Sequence, residues 1–362
     1  FRRVLFRSRL CKAKRYERTS ERMGNRAGHY EREFQTKAGT VTLKMPKLKH
    51  IQFETEIIER YRRRESSVEE ALLEMYFAGV SVRRVEDITE ALWGNRVSLS
   101  VISDLNQKVA VTIEEWRNKP LESEYRYVWL DGIWLKRSWG GEVKNVSILV
   151  AIGVNKEGYR DVLGVAEGVK EDKESWLNFL RHLKKRGLKG TELFISDKCL
   201  GVFESLGEIF PEAQWQRCVV HFYRNVFSIT PKHKIREVVA MLKAIHSQED
   251  REAALRKAQE IEQKLIKMKL PEAAKTVREG IKQTLAYMYF PREHWIRIRT
   301  NNPLERIMRE IRCRTRVVGC FPDGKSAMLL VCARLRHITG TKWGTKQYMC
   351  VNKKSEFTEE VA

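Results

Sequence analysis

Three acidic residues lie where a fold can bring them to one site. Asp131 falls within the apolar run Tyr127–Leu135, and Asp197 directly follows the apolar segment Leu193–Ser196. Glu305 lies at the start of a predicted helix. Carboxylates are the ligands that a pair of Mg²⁺ ions needs. Because the chain carries a formal net charge of +22, acid concentrated at one point predicts metal-dependent chemistry on nucleic acid.

The basic charge is distributed unevenly along the 362 residues. Residues 1–65 contain 19 basic and 8 acidic side chains, a net charge of +11 and half of the total. Such a block predicts a basic N-terminal arm that binds a polyanion. A solvated, charge-rich surface is the alternative interpretation.

Composition excludes several classes of protein. A hydrophobic content of 42% supports folded cores rather than a disordered chain. The seven cysteines are odd in number and form no Cys-x-x-Cys pair, which indicates a reducing compartment. No apolar run approaches the ~18 residues of a membrane span, and no signal peptide is evident. We expect a cytoplasmic protein, associated with the nucleoid when bound to DNA. Since the first residue is Phe1 rather than Met, we also expect the natural N-terminus to be missing.

The segment 66–120 has helical periodicity. Gly79 separates a first predicted helix from a second at Val82–Leu92, and a third opens at Ser98 or Ser100. This arrangement predicts a helix-turn-helix-like DNA-binding region, although an ordinary small helical bundle fits the same pattern. The first helix has one apolar face, formed by Val68, Ala71, Leu72, Met75 and Tyr76.

From residue 124 the apolar period changes to two, which predicts strands. The predicted order βββαβαβ is that of the ribonuclease H-like fold, in which a carboxylate on the first strand and another at the end of the fourth lie side by side. Asp131 and Asp197 occupy those places. The predicted strands are Tyr125–Lys136, Val143–Val154, Tyr159–Val169, Thr191–Ser196 and Ala213–Val220, with helices at Glu171–Arg186 and Gly201–Phe210.

Each acidic residue has a structural alternative. Asp131 precedes a glycine, and Asp-Gly between apolar residues is a hairpin-turn signal. Asp197 fits a helix N-cap. Glu305 follows Asn302 and Pro303, so Asn302 as N-cap and Glu305 at the third helical position would form a capping box.

The predicted helix that carries Glu305 has two distinct faces. Its apolar residues fall at helical spacing, and arginines crowd the remaining surface, which predicts contacts with DNA phosphates. The apolar positions are Leu304, Ile307, Met308 and Ile311, and the arginines are Arg306, Arg309, Arg312, Arg314 and Arg316.

Cys218 and His221 form a close pair at the end of the predicted fifth strand. A structural zinc site needs four ligands, and the sequence has no second closely spaced pair. We therefore expect the two residues to form part of the active-site scaffold without zinc. Residues 224–290, rich in Ala, Glu, Lys and Gln, predict a helical insertion.

Four sequence motifs resemble those of the Mutator-type transposases of bacterial insertion sequences. They are Trp129–Gly132, Ile195–Asp197, Trp215–Asn225 and Arg299–Pro322, within a similarity that runs from Arg15 to Tyr348. The sequence departs from the family pattern at Leu200, where a basic or polar residue is usual, and at Cys313, which interrupts an arginine run.

The resemblance implies an Asp-Asp-Glu transposase with a ribonuclease H-like mixed-sheet core. It implies that Asp131, Asp197 and Glu305 are catalytic and hold Mg²⁺, for which Mn²⁺ substitutes. The expected partners are the terminal inverted repeats of the element, target DNA and at least one further copy of the chain. The alternative is a catalytically silent, transposase-derived DNA-binding protein. The predicted regions are the arm 1–65, the helical region 66–120, the catalytic core 121–223, the insertion 224–290, the C-terminal core helices 291–340 and the tail 341–362.

Overall fold

The computed structural model describes residues 10–351 apart from 15, 37, 51–63, 78–79, 81, 94–95, 99–103, 105–109, 140–141, 169–171, 199, 319 and 322–323. The chain divides into two compact units, Phe1–Val109 and Ala110–Ala362. Each unit has its own apolar core. None of the helices in the described part of the chain is long and apolar enough to cross a membrane.

The described part of the first unit contains a β-hairpin. Strand β1 (Asn25–Thr36) pairs antiparallel with β2 (Gly39–Lys49). Thr40–Met45 predicts one short strand that Pro46 stops, but β2 continues through Pro46, which pairs with His29 of β1. β1 was missed because a two-stranded ribbon buries little of either face and so lacks the apolar alternation that marks a strand. The proline is tolerated because β2 is an edge strand, next to a register irregularity.

The first two predicted helices of the segment 66–120 are confirmed. Helix α1 (Ser66–Phe77) and helix α2 (Val82–Trp93) share a small core. Of the two predicted starts of the third helix, Ser98 is described and is not helical, whereas Ser100 lies outside the described residues. Residues 110–117, in the second unit, are helical and are labelled α3. The helix-turn-helix therefore stays a prediction. The shared core contains Val68, Leu72, Val85 and Val97.

The second unit is a mixed α/β structure around one sheet. Its described strands have the order β5-β4-β3-β6-β7, and a short strand β8 also pairs with β3. β3, β4 and β5 are antiparallel, whereas β6, β7 and β8 are parallel to their neighbours. This order is compatible with the predicted ribonuclease H-like core. The strands are β3 Tyr125–Trp139, β4 Glu142–Asn155, β5 Arg160–Gly168, β6 Leu193–Ser196, β7 Gln214–Arg217 and β8 Cys320–Phe321.

Two helices cover one face of the sheet. Helix α4 (Lys173–Lys185) is N-capped by Asp172, whose side chain accepts from the Ser175 N–H. Helix α5 (Leu200–Ile209) packs beside it. The apolar residues of both helices pack against the central strands in one core. Burying apolar surface contributes about 25 cal/mol per Å² to the stability of the unit. The core includes Val128, Leu130, Leu149, Trp176, Phe179, Leu183, Phe194 and Leu206.

The chain after β7 is largely helical. The predicted fifth strand is shorter than expected, and a helix begins two residues after it. Short 3₁₀ turns lie at Lys232–Lys234, Ile281–Thr284, Ala286–Tyr289 and Arg292–His294. The α-helices are α6 Val219–Ser228, α7 Ile235–Ile245, α8 Arg251–Lys267, α9 Pro271–Gly280, α10 Trp295–Ile298, α11 Asn302–Val318, α12 Gly324–Gly340 and α13 Lys342–Thr345.

Candidate active site

Asp131 lies within a continuous strand. The β3–β4 ladder pairs Leu130 with Ala151, Asp131 with Val150 and Gly132 with Leu149 without interruption. The hairpin-turn alternative for Asp131 is therefore wrong. The Asp131 side chain is half-buried, and its Oδ1 accepts a hydrogen bond from the Gly132 N–H at 2.9 Å.

Strand register brings Asp197 beside Asp131. Parallel β3 and β6 pair Tyr127 with Leu193 and Trp129 with Ile195. Asp131 and Asp197 each lie two residues beyond the Trp129–Ile195 pair, and residues two apart in a strand share a face. Continued past the end of β6, this register places Asp197, directly after β6, next to Asp131 in the middle of β3.

A buried cation lies next to the aspartates. Arg217 ends β7 opposite Ser196, is 2% exposed and lies over the Phe222 ring at 5.1 Å. Burial lowers the pKa of Arg217, and the nearby Asp197 carboxylate acts in the opposite direction. Arg217 is not among the predicted site residues, although an arginine within a buried strand indicates a functional position, since unpaired charges are rarely buried.

Cys218 and His221 lie at a helix start, and their predicted position at the end of a strand is wrong. β7 ends at Arg217, and α6 begins at Val219. The two consecutive β-branched valines favour a strand locally, but tertiary contacts decide otherwise. The Val219 N–H donates to the Arg299 carbonyl, and the Cys218 carbonyl accepts the Phe222 N–H of the first helical turn.

Asn301 ties the start of α11 to strand β3 and to Cys218 at the start of α6. Its side-chain Nδ2 donates to the Leu130 carbonyl at 3.2 Å, next to Asp131 in the chain. Its backbone N–H donates to Cys218 Sγ at 3.2 Å. The Asn301 carbonyl accepts from the Glu305 N–H at 2.9 Å, so Asn301 is the N-cap residue. Glu305 is therefore the fourth helical residue, and the predicted capping box from Asn302 is wrong.

Glu305 faces α6. Its Oε1 lies 3.1 Å from His221 Nε2 and 3.8 Å from Arg224 Nη1. The ligand atoms of Cys218, His221 and Glu305 all lie within 4.8 Å of one another. Asp131, Asp197 and Glu305, all described in the structure, do not form such a group. The predicted trio is thus divided into two aspartates at the neighbouring strands β3 and β6 and a glutamate that clusters with Cys218 and His221.

The two faces of α11 agree with the sequence pattern. The apolar stripe is confirmed, since Leu304, Ile307, Met308 and Ile311 are buried. Four of the arginines are exposed, and Arg314 is half-buried. The exposed ones are Arg306, Arg309, Arg312 and Arg316.

The donor set suits a hard divalent cation. Asp131, Asp197 and Glu305 offer only carboxylate oxygens, which Mg²⁺ prefers. The register of β3 and β6 brings the two aspartates to neighbouring strands, and the Leu130–Asn301 bond fixes the start of the glutamate helix beside β3. The three carboxylates match the ligand preference of Mg²⁺, and in this structure the Glu305 carboxylate contacts His221 and Arg224 instead of joining the aspartates.

Comparison with known proteins decides the family. Residues 6–343 match the family described as "Transposase, Mutator family". The chain belongs to the Mutator family of transposases. The resemblance found in the sequence motifs is thereby confirmed over nearly the whole chain.

Several relatives from this family are transposases of bacterial insertion sequences. The transposase for ISRM5 of Rhizobium meliloti (strain 1021) is 38% identical over 317 residues, 87% of this chain and 79% of the relative. The transposase for IS256 in transposon Tn4001 of Staphylococcus aureus is 35% identical over 335 residues, 91% and 85% of the two chains. The transposase for IS1081 of Mycobacterium tuberculosis is 37% identical over 328 residues, 90% and 79%.

Proposed function

We propose that this protein cleaves and joins DNA strands at the ends of its insertion sequence, using Asp131, Asp197 and Glu305 on a ribonuclease H-like core. The observation that supports the proposal is the parallel β3–β6 register, whose last pair lies two residues before Asp131 and two before Asp197, in a strongly basic chain of the Mutator family. The strand order β5-β4-β3-β6-β7 supports the fold assignment.

Asp131, Asp197 and Glu305 would hold Mg²⁺, or Mn²⁺ in its place. When bound, the ions make a water or a 3′-hydroxyl nucleophilic and stabilise the leaving oxygen. The chain itself supplies carboxylate oxygens from the neighbouring strands β3 and β6 and from the first turns of α11. Arg217 offsets the concentrated negative charge from a buried position beside Asp197.

Cys218 and His221 act as the scaffold for Glu305. The Asn301 N–H bonded to Cys218 Sγ fixes the distance between the starts of α6 and α11. His221 then limits the directions open to the Glu305 carboxylate, which lies 3.1 Å from its Nε2. Positioning of this kind supplies much of the rate when the chemistry depends on bound ions.

DNA is the proposed partner. The exposed arginines of α11 lie on the helix that carries Glu305, so they would bind the phosphate backbone and supply affinity rather than sequence reading. The basic residues 1–65 and the helix-turn-helix-like region 66–120 would bind the terminal inverted repeats. Residues 224–290 would form a helical insertion between β7 and α11.

Two copies are proposed to act together, because joining two element ends needs two active sites and one chain carries one acidic trio. Val238, Leu242 and Ile245, apolar residues of α7, are buried within the chain, so they are not available for a contact between two copies. Light scattering on the protein bound to paired-end DNA should give at least a dimer. A monomeric complex that joins both ends would contradict the proposal.

A catalytically silent DNA-binding protein is the second candidate. The observation that favours it is the separation of Glu305 from the two aspartates. Both candidates bind element-end DNA, but only the transposase cuts it. The test incubates the full chain with labelled element-end DNA and Mg²⁺, beside a scrambled-end duplex and a reaction with EDTA. Strand breaks at the element end that require Mg²⁺ support the transposase. Binding without breaks supports the silent protein.

A further inference from the structure

Three donors of different chemical type meet at the start of α6 and α11. Cys218 is fully buried, and the side chains of His221 and Glu305 are 19% and 22% exposed. Cys218 and His221 are three residues apart, across the first turn of α6. Glu305 joins them because Asn301 ties α11 to the Cys218 sulfur. The three ligand atoms fall within 4.8 Å of one another.

Two of these donors have unsatisfied polar atoms. His221 Nδ1 and Glu305 Oε1 are buried and form no hydrogen bond with the described part of the chain. Glu305 Oε1 lies 3.1 Å from His221 Nε2 without hydrogen-bond geometry. Buried polar atoms are nearly always paired, and unpaired ones indicate a missing partner such as an ion or a water.

We propose that Cys218, His221 and Glu305 form a binding site for a divalent transition-metal ion of the Zn²⁺ type, distinct from the all-carboxylate magnesium site. Sulfur and imidazole donors select Zn²⁺ or Co²⁺ over Mg²⁺. Three protein ligands leave a fourth position for water, as in open zinc sites. The proposal departs from the expectation of a scaffold without zinc, because the sequence shows only the Cys-His pair and the fold adds a third ligand, Glu305, 84 positions after His221.

Cys218 binds a metal as its thiolate rather than as its thiol. Its sulfur already accepts a hydrogen bond from the Asn301 N–H. A bound cation adds a positive charge at the sulfur. The thiol then loses its proton to solvent as the metal–sulfur bond forms, and no electron is transferred.

The site has a consequence for activity that rests on the proposed function. Glu305 belongs to both donor sets, so an ion bound with Cys218 and His221 holds Glu305 away from Asp131 and Asp197. Zn²⁺ should therefore inhibit Mg²⁺-dependent cleavage by competing for one side chain rather than for DNA.

Metal binding by the full chain without DNA tests the site independently of cleavage. Co²⁺ titration should give one equivalent with thiolate-to-cobalt absorption, and calorimetry with Zn²⁺ should give the same stoichiometry. Cys218→Ser should remove the absorption, and His221→Asn should weaken binding by about tenfold or more, the size found even for groups outside the ligand set. Cys313→Ser, at an exposed thiol, and Asp131→Asn are matched controls that should leave binding intact.

Two results would overturn the site: no stoichiometric binding by the wild type, or thiolate absorption that persists in folded Cys218→Ser. Circular dichroism checks folding, and His221→Asn keeps the test decisive if Cys218→Ser does not fold. Loss of the zinc site would leave the transposase proposal intact, because cleavage is measured with Mg²⁺. A chain that binds Zn²⁺ but never cuts DNA would support the zinc site and contradict the transposase proposal.

Discussion

The two halves of the candidate site are held by different physical means. The positions of Asp131 and Asp197 are set by strand register, which hydrogen bonds and burial fix along whole strands. The position of Glu305 is set by the start of α11, which a few hydrogen bonds, chiefly those of Asn301, hold in place. Sheet register resists change because a one-residue slip moves every side chain to the other face. The aspartate pair is therefore the rigid half, and the glutamate is the half that ligands and mutations can redirect.

Removing the Asn301 side chain should break the glutamate half alone. Asn301→Ala loses the bond to the Leu130 carbonyl, so we expect a loss of about 1–3 kcal/mol in the free energy of unfolding. Displacement of Glu305 should lower cleavage by up to about 100-fold. Chemical denaturation and the cleavage assay measure the two effects. Asn302→Ala, at the exposed neighbouring position, is the matched control and should change stability by less than about 0.5 kcal/mol. Equal effects of the two substitutions would show that Asn301 does not anchor α11.

A buried histidine outside both halves predicts a pH effect on stability. His246 lies between Tyr223 and Thr284, and burial lowers its pKa from 6.5 to about 4. The unfolded chain therefore binds a proton that the folded chain does not, and stability falls as pH drops from about 6.5 toward 4. The slope from this residue is about 1.4 kcal/mol per pH unit.

Denaturation at pH 7 and pH 5 should show a smaller loss for His246→Gln than for the wild type. The comparison of slopes removes the direct cost of the substitution. Equal slopes would mean that His246 is already charged in the folded protein, contrary to its burial. The aspartate pair should be unaffected, since His246 contacts neither strand β3 nor β6 among its described hydrogen bonds.

The arginine face of α11 predicts the smallest effect. Arg309→Gln should weaken DNA binding about equally for all sequences and reduce the slope of log affinity against log salt by about 1, as expected for one phosphate contact. Arg256→Gln, an exposed arginine of α8, is the control and should leave the slope unchanged. Filter binding at several salt concentrations measures both. An unchanged slope for Arg309→Gln would remove α11 from the proposed DNA interface.

The sequence predicted most of the rigid half. The apolar runs around Asp131 and before Asp197 mark buried strands, and the helices between the later strands favour parallel pairing, so the meeting of the two carboxylates could be predicted. The motifs also indicated the family. Register depends on alternating side chains that are visible in the chain itself.

The glutamate half was less predictable because it depends on contacts between distant residues. Asn301 resembles any polar residue before a helix, and nothing local reveals its bonds to Leu130 and Cys218. The same limit explains Val219, whose β-branched side chain favours a strand although its N–H reaches Arg299 and begins a helix. Hairpin strand β1 could not be predicted for another reason. Without a buried face, its sequence lacks the alternation of apolar and polar residues that indicates a strand.

The most direct test of the account compares three substitutions in the element-end cleavage assay. Asp131→Asn, Asp197→Asn and Glu305→Gln should each reduce Mg²⁺-dependent cleavage by at least about 100-fold, the upper range for groups that reach a metal only through another residue. DNA affinity should stay within about twofold of the wild type because backbone contacts supply it. Glu212→Gln, at an exposed carboxylate near β7, should cleave normally. If Glu305→Gln cleaves at the wild-type rate while the aspartate variants do not, the two halves do not form one active site.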